Sequence, residues 1–193
     1  MKQVALFGGS FDPPGLHHKE IAYYLSSHFH EVIVIPCGLR PDKESVNKIN
    51  PSHRAVMTAM TFCEIPKVVV DTFDVHSDSY TTAVQLQNRY VCRGELWHVV
   101  GSDLIFNGNE GKSLIHTTWK EGEYVWEHFR FLIIPRHEFP FRMADLPPNH
   151  FVANFDSTGS SSEIRVKVKN GEPITGLVAP EVEQYITQNK LYL

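Results

Sequence analysis

The sequence predicts a doubly wound α/β fold, a Rossmann-like parallel sheet with helices on both faces, and three observations point to it. Short β-branched runs alternate with helix-period segments along the chain. The apolar runs are too continuous for strands buried on one face, as in EVIVIP (31–36) and ELWHVV (95–100). A glycine-bearing stretch, GGSFDPPGLHH from Gly8 to His18, follows the first run. That is where such folds bind ligands, beyond the carboxyl ends of the strands.

The elements follow in order. KQVALF (2–7) reads as a first strand, and residues 17–29 as a helix with Ile21, Ala22, Leu25 and Phe29 on one face. EVIVIP is the second strand. Asn50-Pro51 opens a helix running to Cys63, proline being suited to the first helical position. KVVVDTF (67–73) is strand three, TTAVQLQNRY (81–90) a helix, and ELWHVV strand four. FRFLIIP (129–135) and HFVANF (150–155) give strands five and six. The stretch from Phe106 to Glu123 is polar and glycine-bearing, which predicts a long loop or lid. DSTGSSSEIR reads as a capped helix start. With no internal repeat and no linker, a single domain over 1–193 is expected.

Bulk chemistry narrows the partners. A chain of 193 residues with 42% hydrophobic and 21% charged residues fits one globular domain. Its formal charge of −4 argues against a broad nucleic-acid or anionic-membrane surface, while allowing a local basic pocket. Cys37, Cys63 and Cys92 are widely spaced with no CxxC, so they read as reduced, buried thiols. The first glycine comes too early for a signal-peptide core, and no run approaches the ~20 apolar residues of a membrane span. A cytoplasmic protein is expected, and a homo-oligomer is allowed.

Two stretches carry the chemistry. In the first, Gly8 and Gly9 permit close backbone approach as the chain leaves the sheet. A helix starting near His17 and His18 then offers free N–H groups and a positive dipole end, an anion site to which both imidazoles could add donors. A plain Gly/Pro turn with two exposed histidines is the alternative. The GxGxxG dinucleotide fingerprint is not matched. In the second stretch, Ser160 and Glu163 form an S-x-x-E capping box. Ser161 and Ser162 then lie at another helix N-terminus, with Arg165 one turn in; a plain cap with a surface arginine is the competing reading. Paired, the two N-termini would clamp a polyphosphate. His28 and His30 read as cations at a helix end, His98 as a core or pocket histidine, and Phe129, Phe131 and Phe139 as core.

Together these residues resemble the nicotinate-nucleotide adenylyltransferase family, in the superfamily whose signature is H-x-G-H. The likeness runs along nearly the whole chain. GGSFDP resembles the family's opening, PCGLRPDK (36–43) its P-x-G-x-x-P-H-K, and His53-Arg54 with Met57 its H-R-x-x-M. Ser79-Tyr80-Thr81, Gly101-Ser102-Asp103, Trp119, Pro135-Arg136, SSSEIR and the tail VAPEVEQYITQNKLY match in order and spacing. Three places depart from the pattern. Aligned without gaps, the first signature histidine falls on Gly15, its glycine on His17 and its second histidine on His18, so H-x-G-H reads G-L-H-H. Asp42 replaces the histidine before Lys43, and the asparagine after the G-A-D segment is absent.

The resemblance implies a nucleotidyltransferase joining ATP to nicotinate or nicotinamide mononucleotide in NAD biosynthesis, with Mg²⁺ bound through the ATP phosphates. It implies that His18 and His17 stabilise the transferring phosphate, helped by Lys43 and Arg165. Gly8, Gly9, Ser10 and Phe11 would line the nucleotide turn, with Gly101 and Asp103 at ribose or adenine and Ser161, Ser162 and Arg165 on the ATP phosphates. Lys43, Tyr80, Thr81, Trp119 and Arg136 would surround the acceptor, and Asp12 would organise the loop. Another phosphorylated acceptor stays open, because function lives in the site and not the fold, and Gly15 at the histidine position keeps open a catalytically weak nucleotide-binding regulatory protein.

Overall fold

The computed structural model describes residues 1–38, 49–77, 81–155 and 158–193. Six strands form one sheet: β1 (Gln3–Gly9), β2 (Glu31–Pro36), β3 (Val68–Val70), β4 (Glu95–Gly101), β5 (Phe131–Ile134) and β6 (His150–Val152). Their order is β3-β2-β1-β4-β5-β6 and every pairing is parallel. The order reverses between β1 and β4, which opens a crevice beyond their carboxyl ends. Gly8 and Gly9 end β1 and Gly101 ends β4, so both glycine-bearing turns meet at that crevice.

Among the described residues there are seven α-helices, five between strands and two after the last strand: α1 (Leu16–His28), α2 (Pro51–Phe62), α3 (Ala83–Tyr90), α4 (Leu114–Thr118), α5 (Gly122–His128), α6 (Ser161–Lys169) and α7 (Pro180–Gln188). The predicted apolar face of α1 is buried through Ile21, Ala22 and Leu25, with Phe29 just beyond. These side chains pack on Ala5, Phe7, Val32 and Val34 of the sheet. Proline opens α2, where Asn50 Oδ1 accepts the Ser52 N–H at 2.9 Å. Thr82 and Gln85 close a reciprocal cap on α3. Among the described residues, no helix is long and apolar enough to cross a membrane.

Several expectations need correction. The stretch Phe106–Glu123 is not an open loop: it contains a 3₁₀ turn at Gly108–Glu110, all of α4 and the start of α5. Ser113 caps α4, and Ile115 packs with Val125, Trp126 and Phe131, so a few well-spaced apolar residues are enough to fold it. Strands three, five and six are shorter than predicted, at three, four and three residues. Cys37 is buried, but Cys63 at the end of α2 and Cys92 in the turn after α3 are exposed, because both sit at helix ends. Phe129 and Phe131 are core, whereas Phe139 is exposed beyond β5. His28 does sit at a helix end, its Nδ1 2.7 Å from the Tyr24 carbonyl.

Candidate active site

The loop after β1 is held from four sides. Phe11 is buried with a left-handed backbone (φ 45°), a conformation that costs a non-glycine residue about 1–3 kcal/mol. Its ring sets edge-on to Phe7 and Phe62 at 5.4 and 5.5 Å. Although it borders the cavity, it is a plug beneath the turn rather than a surface residue. Arg54, fully buried on α2, donates from Nη1 to the Ser10 carbonyl at 2.8 Å. Arg165 on α6 donates to the Asp12 carbonyl at 2.6 Å, and Ser161 Oγ to the Pro13 carbonyl at 2.8 Å.

Asp12 lies at the centre of this knot. Tyr192, after α7, donates its hydroxyl to Asp12 Oδ1 at 2.8 Å, and Arg165 stands 3.8 Å from Oδ2. Burial pushes the Asp12 carboxyl up from its ordinary range, opposed by Tyr192, Arg165 and Arg54. Asp12 is therefore an organiser of the loop, as its position in the sequence suggests. Arg54 and Tyr192 are contributors that no local pattern assigned to the loop.

The N-terminus of α1 is only partly free. Its Leu16 N–H donates to the Leu177 carbonyl at 2.8 Å, while the His17 amide has no partner among the described residues. His18 Nδ1 accepts the Gly15 N–H at 3.1 Å, which assigns the imidazole proton to Nε2. The His17 and His18 rings lie 3.9 Å apart. Burial drives His17 down to about 4, with the Arg136 charge adding to it. His18 is held well below its ordinary value by burial, then by His17 and Arg136. Both imidazoles are thus neutral N–H donors in the free protein.

One cavity of about 790 Å³ gathers the predicted residues. His17, His18 and the Gly8–Phe11 turn line it, as do Gly101, Asp103 and Arg136 across the switch point. Ser161, Ser162 and Arg165 border it from α6, as do Thr81, just before α3, and Trp119, at the C-terminal cap of α4. Ser160 Oγ accepts the Ser162 and Glu163 N–H groups, capping α6, and Arg165 donates to Ser162 Oγ at 2.9 Å. Arg136 pairs with Asp103 at 3.2 Å, and its backbone N–H donates to Ser102 Oγ. Thr81 bonds to buried Asp74, whose other oxygen accepts the Gly38 N–H at 2.8 Å. Asp74 had no signal in the sequence. Lys43 and Tyr80 lie outside the described residues.

His98 is a pocket histidine, buried, with Nε2 3.0 Å from Gln87 Oε1 and its ring stacked 5.0 Å from Phe129. Burial lowers its imidazole to about 4. The unfolded chain takes up these protons near pH 6.5, so stability is full above that pH and falls as pH drops toward 4. For His98 alone the slope is about 1.4 kcal/mol per pH unit. Asp12, shifted upward, opposes it at more acid pH. Melting temperatures should drop between pH 7 and 5, and less steeply in His98→Gln. A level profile would mean these histidines titrate normally.

The arrangement is a cavity of mixed polar and apolar lining at a switch point, bounded by two helix N-termini, the neutral imidazoles of His17, His18 and His98, and two arginines. Known proteins share its sequence and its fold. The family model described as cytidylyltransferase-like matches residues 6–167. A probable nicotinate-nucleotide adenylyltransferase of Tropheryma whipplei (strain Twist) is 31% identical over 192 residues, which cover 96% of this chain and 97% of the relative. The chain belongs to the nicotinate-nucleotide adenylyltransferase family. A further member of that family, from Sulfurovum sp. (strain NBC37-1), is 29% identical over 97% of this chain and 96% of its own length. The structure of Plasmodium falciparum nicotinic acid mononucleotide adenylyltransferase, complexed with NaAD, superposes with a TM-score of 0.81 at 26% identity. That likeness covers 100% of this chain and 98% of the other.

Proposed function

We propose that the protein transfers the adenylyl group of ATP to nicotinate mononucleotide, forming the dinucleotide and pyrophosphate in NAD biosynthesis. The observation that carries this reading is the meeting of the α1 and α6 N-termini at one cavity: Ser161 and Arg165 of α6 bond the loop that leads into α1. Family membership and the relatives' names support the acceptor.

A phosphate oxygen of the mononucleotide forms a bond to the α-phosphorus while the bond to the bridging α–β oxygen breaks, and pyrophosphate leaves with that electron pair. The attacking oxygen is already ionised at neutral pH, so no side chain need accept a proton. Catalysis is then alignment plus charge stabilisation. His18 Nε2–H and Arg165 serve the transferring phosphate, with Ser162, Ser161 and the Gly8–Gly9 backbone beside it. Gly101 and Asp103 serve ribose or adenine; Thr81, Trp119 and Arg136 serve the acceptor, joined by Lys43 and Tyr80. Mg²⁺ enters on the ATP phosphates as part of the substrate and supplies charge neutralisation there. Among the described residues, no three His, Cys, Asp or Glu side chains group to hold a metal.

The test is pyrophosphate release with ATP or CTP against nicotinate mononucleotide, nicotinamide mononucleotide, phosphopantetheine and sugar phosphates. Release with ATP and nicotinate mononucleotide is expected. Release with another acceptor alone would move the protein to a sister activity. ATP binding with no release from any acceptor would favour a regulatory binder, a reading that Gly15 at the signature histidine supports.

Trp119, half-buried at the C-terminal end of α4, borders the cavity beside Leu114 and Thr118. Stacking on a pyridine ring is worth about 1–3 kcal/mol. Trp119→Ala should therefore raise the acceptor KM about 5–150-fold and leave ATP binding near wild type. Equal losses for both substrates would make Trp119 a packing residue.

A further inference from the structure

Transfer as described above uses the His18 imidazole, and a second ring, that of His17, lies 3.9 Å from it in the same cavity. His17 is the second residue of α1 and is not turned out to solvent there. Its ring instead turns inward, lines the cavity beside His18, and has no hydrogen-bond partner among the described residues. Two glycines make that placement feasible. A Cβ on Gly15 would lie 2.5 Å from His17 Nδ1 and 2.6 Å from Cε1. A Cβ on Gly159 would lie 2.6 Å from Nδ1 and 2.7 Å from Cγ. Gly159 also has φ +145°, a backbone that L side chains rarely adopt. The ring is slotted between two bare Cα faces, and side chains at positions 15 and 17 would compete for one volume.

We propose that His17 is a second phosphate-binding donor of this site, its ring filling the space that a side chain at position 15 would otherwise occupy, so that the donor can be moved between the two positions. The inference rests on the nucleotidyl-transfer reading. A ring present only to fill space would need neither an orientation into the cavity nor free nitrogens. The His17 amide likewise has no partner among the described residues.

Four proteins test it: wild type, His17→Gly, Gly15→His, and the double variant. His17→Gly should lower kcat about 10²–10³-fold, the usual loss for one transition-state donor. Gly15→His alone should lose at least as much, since two rings then claim one slot. The double variant should return to within about tenfold of wild type, a non-additivity expected of residues that share a space. His17→Gly at wild-type kcat would overturn the proposal, as would a double variant no faster than His17→Gly. Thermal melts establish which variants fold. Should the position-15 variants fail to fold, His17→Asn, which keeps a donor, should exceed His17→Leu, which fills space without one; equal rates would overturn the proposal. Wild type that releases no pyrophosphate would remove the transfer reading but not this test. ATP affinity should still fall at least tenfold in His17→Leu, and an unchanged Kd would overturn the role of His17.

Discussion

His18→Ala is expected to slow pyrophosphate release about 10²–10³-fold while ATP binding weakens far less. The reason lies in the tautomer. Gly15 N–H occupies Nδ1, so the single imidazole proton sits on Nε2. That donor costs nothing to position at the moment charge grows on the phosphate, and interactions of this kind act mainly on the transition state. The ring also packs against Phe11 at 5.1 Å, so truncation opens a gap and melting temperature should be followed alongside rate. His18→Asn keeps a donor on a shorter arm and separates the two effects. A kcat near wild type in a folded His18→Ala protein would remove His18 from the chemistry.

The second large effect is expected at Arg165. Its guanidinium donates to the Asp12 carbonyl and to Ser162 Oγ, joining α6 to the loop. Charge-assisted bonds of this type are worth about 1.5–3 kcal/mol, so Arg165→Ala should weaken ATP binding about 10–150-fold. It also leaves the buried Asp12 carboxylate with less compensation, so a drop of several degrees in melting temperature should accompany the loss. Arg165→Lys keeps the charge but not the two-pronged geometry, and should recover stability less than affinity. Unchanged ATP affinity in a calorimetric titration of Arg165→Ala would mean that Arg165 braces the loop without touching the nucleotide.

The sheet was readable from the sequence because buried parallel strands leave an uninterrupted apolar signature, as Val4 to Phe7 and Val32 to Ile35 do. The two halves of the clamp were readable for a different reason. Gly8-Gly9 and Ser160 to Arg165 are local patterns whose chemistry is fixed by near neighbours. What escaped was whatever depends on distant contacts. Arg54 reaches Ser10 and Tyr192 reaches Asp12 only after folding, and neither residue type announces such a partner. Asp74 carries no sequence pattern of its own, and only the fold places it between Thr81 and Gly38. Phe11 read as a turn residue because burial under a left-handed backbone has no local pattern. The helices at 114–128 were hidden by glycine and polar residues, although Ile115, Val125 and Trp126 supply their buried face.

The knot around Asp12 also sets an order of events during synthesis. Arg165 is 153 residues, and Tyr192 180 residues, beyond the aspartate that they hold. A ribosome releases the phosphate-facing loop early, with β1 and α1; Arg54 and Phe62 follow soon after, but Arg165 and Tyr192 come last. Until those late residues emerge, Asp12 has neither its hydroxyl nor its guanidinium partner. The nucleotide turn is thus among the first parts of the chain to be written, while the partners of its buried carboxylate are among the last.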